Sequence, residues 1–169
     1  MKRLIFLLIL LKSLCSFGQD NAWKTWDERY KPVNYIDLIE SEKHYADSVE
    51  NNPNIVQYFT RIDNYKFVAK YLGKVRPISQ DVIYSMQRVY KLFIGDSKNL
   101  NKLVTSEFLF DIEGIKVWMP IQLVLEGDFK KEVKKSQNAV LYCLFMNEHG
   151  EGKVLYNTFF ISEFYKYNP

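Results

Sequence analysis

The sequence predicts an α+β fold in which a helical N-terminal part packs on an antiparallel sheet formed by the C-terminal part. Apolar residues recur at spacings of three and four through most of residues 20–94, which is the period of an amphipathic helix. After residue 104 the period changes to two, as in a strand with one buried face. We therefore expect a helical subdomain at residues 19–104 and a β subdomain at residues 105–169, sharing one core. The sheet should have four to five strands in the order ββαββ, as an open sheet or a partly open barrel.

The N-terminal residues 1–18 have the pattern of a cleaved signal peptide. A positively charged start precedes an unbroken apolar run at residues 4–11, and small residues at the first and third positions before the cut suit cleavage after Gly18. A membrane-spanning helix needs roughly 20 apolar residues, so this run is too short to be an anchor. Lipid attachment to Cys15 is a less favoured alternative, because the large Leu14 precedes that cysteine. We expect a periplasmic or extracellular protein with no transmembrane segment in its mature chain.

The mature chain is expected to carry no net charge. The whole sequence has 23 Lys and Arg against 20 Asp and Glu, but the leader contains Lys2, Arg3, Lys12 and no acid, so 20 bases and 20 acids remain. This balance gives no reason to expect nucleic acid or an anionic membrane surface as a partner. One cysteine, Cys143, remains after cleavage, so stability must come from a core to which the high aromatic content contributes.

Helical patterns dominate the N-terminal part. The first covers residues 20–30 and places three large aromatic rings on one face. The second covers residues 35–50, with Asn34 as its N-cap. The clearest helix covers residues 80–94, with Ser79 as its N-cap and a glycine directly after it.

The segment between these helices, residues 53–72, is open to two interpretations. Apolar residues at spacings of three and four favour a helix that starts at Pro53 and stops before Gly73. An alternation of apolar residues with lysines favours a strand over Tyr65–Val75. We prefer the helix.

The stretch Glu107–Glu126 predicts a β-hairpin with a two-residue turn at Glu113-Gly114. A register slip of one residue would mismatch both faces of this hairpin. Pro120 has no backbone donor, which indicates a sheet edge or a bulge. The pairs expected for this turn are Ile112 with Ile115, Phe110 with Val117, Phe108 with Met119, Asp111 with Lys116, and Leu109 with Trp118.

Three further elements are expected after the hairpin. Residues 128–135 predict a short helix whose four lysines lie on a solvated face, which does not indicate nucleic-acid binding. Ala139–Met146 is apolar on both faces, as in a central strand, and Cys143 lies inside it as a buried, inert thiol. Val154–Ile161 is the last strand, after a polar turn at residues 147–152.

No motif in the sequence points to catalysis, a cofactor or a metal. The sequence lacks a glycine-rich phosphate loop, a His-Glu-x-x-His zinc motif and a Gly-x-Ser-x-Gly nucleophile turn. His44 and His149 each lack a matched partner in sequence. Cys143 lies inside an apolar strand, so it is poorly placed to act as a nucleophile with His149 as its base. Acidic residues are dense around the hairpin but define no pair. We assign no catalytic, cofactor-binding or metal-binding residue.

These patterns favour an exported, non-catalytic binding protein of the cell envelope. It would act as an accessory subunit, or as an inhibitor or immunity-type partner, of another envelope protein. One alternative is a carbohydrate-binding module that stacks surface aromatic rings on a glycan. Another alternative is a small hydrolase that uses paired carboxylates. The candidate partner or ligand surface consists of Trp23, Trp26, Tyr30, Trp118, Pro120 and Gln122.

Overall fold

The structure is a computed structural model, and it describes residues 25–52, 60–150 and 154–167. The chain divides into two compact units, residues 1–31 and residues 32–169. In the first unit, residues 25–29 are helical. The second unit holds the long strands and the remaining helices, so the α+β class is confirmed.

Within the described ranges the sheet has six strands, and its long strands are antiparallel. Their order is β4-β3-β2-β5-β6, and the two-residue β1 pairs with β2. The sheet is open, but it curls enough for β4 and β6 to make contact, and a parallel bridge joins Ile121 to Ile161. The strands are β1 (Lys31–Pro32), β2 (Thr60–Pro77), β3 (Ser106–Ile112), β4 (Ile115–Pro120), β5 (Asn138–Gly150) and β6 (Val154–Lys166).

Two of the helices begin at the N-caps that the sequence predicts. The Asn34 side chain accepts a hydrogen bond from the backbone N–H of Asp37, and the Ser79 side chain accepts one from Val82. Each cap satisfies a donor that the first helical turn leaves unpaired. The helices are α1 (Tyr35–Glu50), α2 (Gln80–Phe93), α3 (Leu100–Leu103) and α4 (Glu126–Glu132), and a 3₁₀ turn, Leu123–Leu125, precedes α4.

The predicted β3–β4 hairpin and its register are confirmed up to Pro120, whereas the rest of the predicted stretch is not a strand, because Leu123–Leu125 forms a 3₁₀ turn. All five expected pairs form, including Asp111 opposite Lys116 and Leu109 opposite Trp118. Glu113 and Gly114 both have positive φ, 53° and 90°, which is the requirement of a type I′ turn. Alternation across two adjacent apolar stretches was therefore sufficient to place this hairpin.

The preferred helix at residues 53–72 is wrong for the part that the structure describes, because β2 occupies Thr60–Pro77. β2 lies between β3 and β5, and it pairs with β5 without interruption from Thr60 opposite Glu148 to Lys70 opposite Asn138. The segment has apolar residues at both helical and strand spacing, and its pairing with β3 and β5 makes it a strand. The sheet is thus completed by a strand from the N-terminal part, which lies between the β3–β4 and β5–β6 hairpins.

The sheet packs against helices on both faces. Alternate side chains of β5 point to opposite sides, as expected for a central strand. Phe145 lies on the side that packs against Tyr35 of α1, which we call the α1 face. Met146 lies on the other side with Met86 and Val89 of α2, which we call the α2 face. Both sides of β5 are buried, which confirms its predicted internal position.

An irregularity in the pairing of β2 with β3 lies between Tyr71 and Val75. Gly73 lies within it with a φ of +72°, a conformation that side-chain-bearing residues rarely adopt. A Cβ atom at this position would lie 2.9 Å from Cβ and Cγ of Lys135. Backbone conformation and space both require glycine here.

Candidate functional site

The predicted surface residues belong to different units. Trp23 lies outside the described residues, and Trp26 and Tyr30 are half-buried in the first unit. In the second unit Trp118 is half-buried and Pro120 is buried.

The hairpin residues of this predicted surface make contacts within the protein. The Arg76 guanidinium lies 4.4 Å from the centre of the Trp118 ring, a cation–π contact. The half-buried Gln122 donates from Nε2 to the backbone oxygen of Ser162 at 3.4 Å. Only part of the Trp118 ring therefore remains available to a partner.

A second group of polar side chains lies at one end of the otherwise apolar α1 face. Arg61 of β2 is paired in register with Asn147 of β5, which is paired with Asn157 of β6. Strand alternation places Asp63 and His149, each two residues further along its strand, on the same face. We call this group the polar cluster. Its members are Glu42 and Glu50 of α1, Arg61 and Asp63 of β2, Asn147 and His149 of β5, and Asn157 of β6.

Arg61 is the central cation of the polar cluster. Its Nη2 donates to Oε1 of Glu42, and its Nε lies 3.2 Å from Oδ2 of Asp63. The Nε–H is not aligned with that oxygen as a hydrogen bond, so the second contact is a Coulombic attraction. The guanidinium also lies 5.3 Å from the centre of the Phe145 ring, which packs it against the core.

Glu42 is a buried carboxyl group, with only 5% of its surface exposed. Burial raises the pKa of Glu42 above its usual range, because a charged group loses its hydration there. Arg61 opposes this rise, whereas the neighbouring charge of Asp63 adds to it. The direction of the pKa shift indicates that Arg61 does not fully compensate the carboxylate.

His149 has a carboxylate partner that lies far from it in the sequence. Its Nε2 lies 2.6 Å from Oε1 of Glu50, and both side chains are largely buried. Such a contact fixes the orientation of the imidazole ring. Cys143 lies six residues before His149 along the same strand, a distance of about 20 Å at 3.3 Å per residue. Burial also raises the pKa of the Cys143 thiol, so the two side chains do not form a nucleophile and base pair.

Asn147 has no exposed surface, and only part of its side-chain amide is hydrogen-bonded. Its Nδ2 donates to Oδ1 of Asn157 at 2.7 Å. Its own Oδ1 is buried and accepts no hydrogen bond from the part of the chain that the structure describes. A buried acceptor without a donor destabilises a protein by about 1–3 kcal/mol, so this oxygen marks a position where a donor would bind favourably.

The polar cluster carries an excess of negative charge. It contains three carboxylates against one guanidinium and one imidazole. Within the described ranges, no group of three or more His, Cys, Asp or Glu side chains has an arrangement that could hold a metal ion. The cluster offers acceptors and negative charge, which suit a positively charged hydrogen-bond donor.

A different feature of the second unit is a group of exposed apolar side chains around α3. This helix contacts both α2 and the 3₁₀ turn. Their exposed fractions range from 46% to 76%. The members of this apolar patch are Leu92, Phe93, Ile94, Leu103, Leu123 and Val124.

Sequence signals for the polar cluster exist but are weak by themselves. Glu42 lies four residues after Leu38, on the inward stripe of α1. Asn147 and His149 lie in the segment predicted as a polar turn, but β5 extends to Gly150 and continues its inward alternation through them beyond Phe145. A polar residue on an inward stripe suggests a buried site, but its partners come from distant parts of the chain.

No family model, curated protein or solved structure matches this chain. None of the helices in the described ranges combines the length and the apolar composition needed to cross a membrane.

Proposed function

We propose that this protein is exported and binds another protein of the cell envelope through the apolar patch, as an accessory subunit or an inhibitor of that partner. The observation that supports this proposal is the exposure of six large apolar side chains on three adjacent elements. Monomeric proteins rarely expose large apolar surfaces, and such surfaces mark interaction sites. A fully buried Leu, Ile or Phe side chain contributes roughly 1.5–3 kcal/mol, so covering half-exposed members of this patch would supply useful binding energy.

The charges beside the patch indicate the chemistry of the partner. Lys91, Lys98 and Lys102 lie on the α2–α3 side of the patch. The acid among them, Asp96, accepts a hydrogen bond from the backbone N–H of Lys98 through Oδ1. A partner with an apolar centre and an acidic rim would complement this surface, since rim charges steer association and select partners.

Site-specific cross-linking in the native host tests the proposal. A photoreactive amino acid in place of Leu103 should form a discrete adduct with one envelope protein. The additional substitution Leu92→Asp should abolish the adduct, because it places a charge in the apolar contact. The same photoreactive residue in place of Tyr45, which is similarly exposed on α1, is the matched control.

Two outcomes would contradict the proposal. One is that position 103 yields no adduct, and the other is that position 45 captures the same protein equally well. Export is tested separately by fractionation and by mass spectrometry of the mature N-terminus, which should be Gln19. Leu92→Asp should change the free energy of unfolding by no more than about 0.5 kcal/mol relative to the unsubstituted protein, as expected for an exposed site.

A further inference from the structure

We propose that the polar cluster binds a small organic cation with a primary ammonium group, held by Asn147 together with the carboxylates of Glu42 and Asp63. This inference is independent of the proposed protein-binding role, because the cluster lies on the α1 face and the apolar patch is formed by α2, α3 and the 3₁₀ turn.

The first reason is the charge of the polar cluster. Glu42 and Asp63 share one guanidinium, that of Arg61, so among the described residues this part of the cluster has one more negative than positive charge. Glu42 is buried and has lost its hydration there, so a share of one guanidinium compensates it incompletely, whereas Asp63 is 30% exposed and also accepts a hydrogen bond from the Tyr65 hydroxyl. Burial raises the pKa of Glu42, and the nearby charge of Asp63 adds to this rise. A bound cation would restore the balance.

The second reason is the unsatisfied acceptor. Oδ1 of Asn147 is buried and lacks a donor among the described residues, whereas the Nδ2 of the same amide is bonded to Asn157. A primary ammonium group has three N–H donors, so its donors equal in number the one amide oxygen and two carboxylates that this inference assigns to it. A quaternary ammonium group has the charge but no donor. A neutral alcohol has one donor and no charge.

The third reason is access. The side chains of Arg61 and Asp63 are about one third exposed, at 32% and 30%, whereas Asn147 has no exposed surface. The polar cluster therefore reaches solvent along β2 and is buried at β5. A small cation could approach on the β2 side, where the acidic side chain of Asp63 lies.

Calorimetric titration of the mature protein tests this inference. The ligands are propylammonium and 1,4-diaminobutane, with tetramethylammonium, propanol and calcium chloride as comparisons. The primary ammonium ions should bind saturably, and each comparison compound should bind at least about tenfold more weakly, because it lacks the charge, the donors or the required size. Equal binding of all compounds, binding of calcium alone or no binding would overturn the inference.

Two substitutions identify the site. Asn147→Leu removes the amide acceptor at similar volume, and Asp63→Asn removes a charge at a partly exposed position where folding should tolerate the change. Each should weaken propylammonium binding about 10-fold or more, as expected for a charge-assisted hydrogen bond. Glu40→Gln, on the exposed side of α1, is the matched control and should leave affinity unchanged.

The pH dependence supplies a further readout. Affinity for propylammonium should fall as the pH decreases through the raised pKa of Glu42, because protonation removes one of the attracting charges. If Asn147→Leu does not fold, the affinity of Asp63→Asn and the comparison of ligands still test the inferred cation site. Unchanged affinity in Asp63→Asn would overturn the inference.

Discussion

Phe129→Ala should be among the most destabilising single substitutions in this protein. Phe129 is fully buried and is the residue through which the seven-residue helix α4 enters the core. The centre of its ring lies 4.9 Å from that of Phe164, 5.2 Å from Tyr71, 5.4 Å from Phe108 and 5.8 Å from Phe110. Three strands and one helix therefore meet at this side chain.

The expected loss follows from this packing. Truncating a buried phenylalanine to alanine lowers the free energy of unfolding by about 3–5 kcal/mol through lost burial and the cavity left behind. Edge-to-face aromatic pairs contribute about 0.5–1.5 kcal/mol beyond burial, and Phe129 makes such contacts with four rings. A helix of seven residues has no stability of its own, so α4 should detach when its anchor is lost. We expect a loss of about 4–5 kcal/mol.

Urea denaturation followed by tryptophan fluorescence and circular dichroism measures this quantity. The matched control is Phe93→Ala, because Phe93 is 49% exposed, and its expected loss is at most about 1 kcal/mol. A loss below about 1.5 kcal/mol for Phe129→Ala, or equal losses for the two variants, would refute the assignment of Phe129 as the anchor of α4.

Three further predictions concern the hairpin, the β2 irregularity and the polar cluster. Lys116→Asp places like charges opposite Asp111 and should lower the free energy of unfolding by about 0.2–1 kcal/mol in urea, with a smaller loss at high salt; an unchanged midpoint would contradict the register. Gly73→Ala should lower the free energy of unfolding by about 1 kcal/mol or more, because its backbone conformation and its space both exclude a side chain. Gly127→Ala, in open space within α4, is the control and should be neutral or stabilising. Thermal denaturation compares the two variants, and similar effects would argue against strain at Gly73. Because burial raises the pKa of Glu42 above its ordinary 4.5, the native state holds this proton more tightly than the unfolded state. Its contribution to stability is therefore full at low pH and falls as the pH rises through the raised pKa. Urea denaturation between pH 4 and pH 7 should show that Glu42→Gln lacks this decline. A difference in unfolding free energy between the variant and the unsubstituted protein that does not vary with pH would contradict this prediction.

The polar cluster could be predicted only in part. The inward position of Glu42 agrees with the period of α1, but Asn147 lies in a segment predicted as a polar turn, and the structure extends β5 through it to Gly150. Their meeting point could not be predicted, because it depends on Arg61, which was expected to lie in a helix. On a strand, Arg61 lies opposite Asn147 and within reach of Glu42.

Sequence alone determined the features that depend on neighbouring residues. The Asn34 and Ser79 caps form between residues three positions apart, and the hairpin register depends on alternation on either side of one turn, up to Phe108 opposite Met119. These contacts join residues that are close in the sequence, so the local sequence pattern is enough to predict them.

Tertiary structure decided the state of β2 and the composition of the polar cluster. Residues 60–77 carry both helical and strand periods, and pairing with β3 and β5 made them a strand. That pairing joins Tyr65 to Cys143, which are far apart in the sequence. A strand satisfies its backbone hydrogen bonds only through other strands, so a local pattern cannot determine its state when both periods are present. The buried charges around Arg61 come together for the same reason.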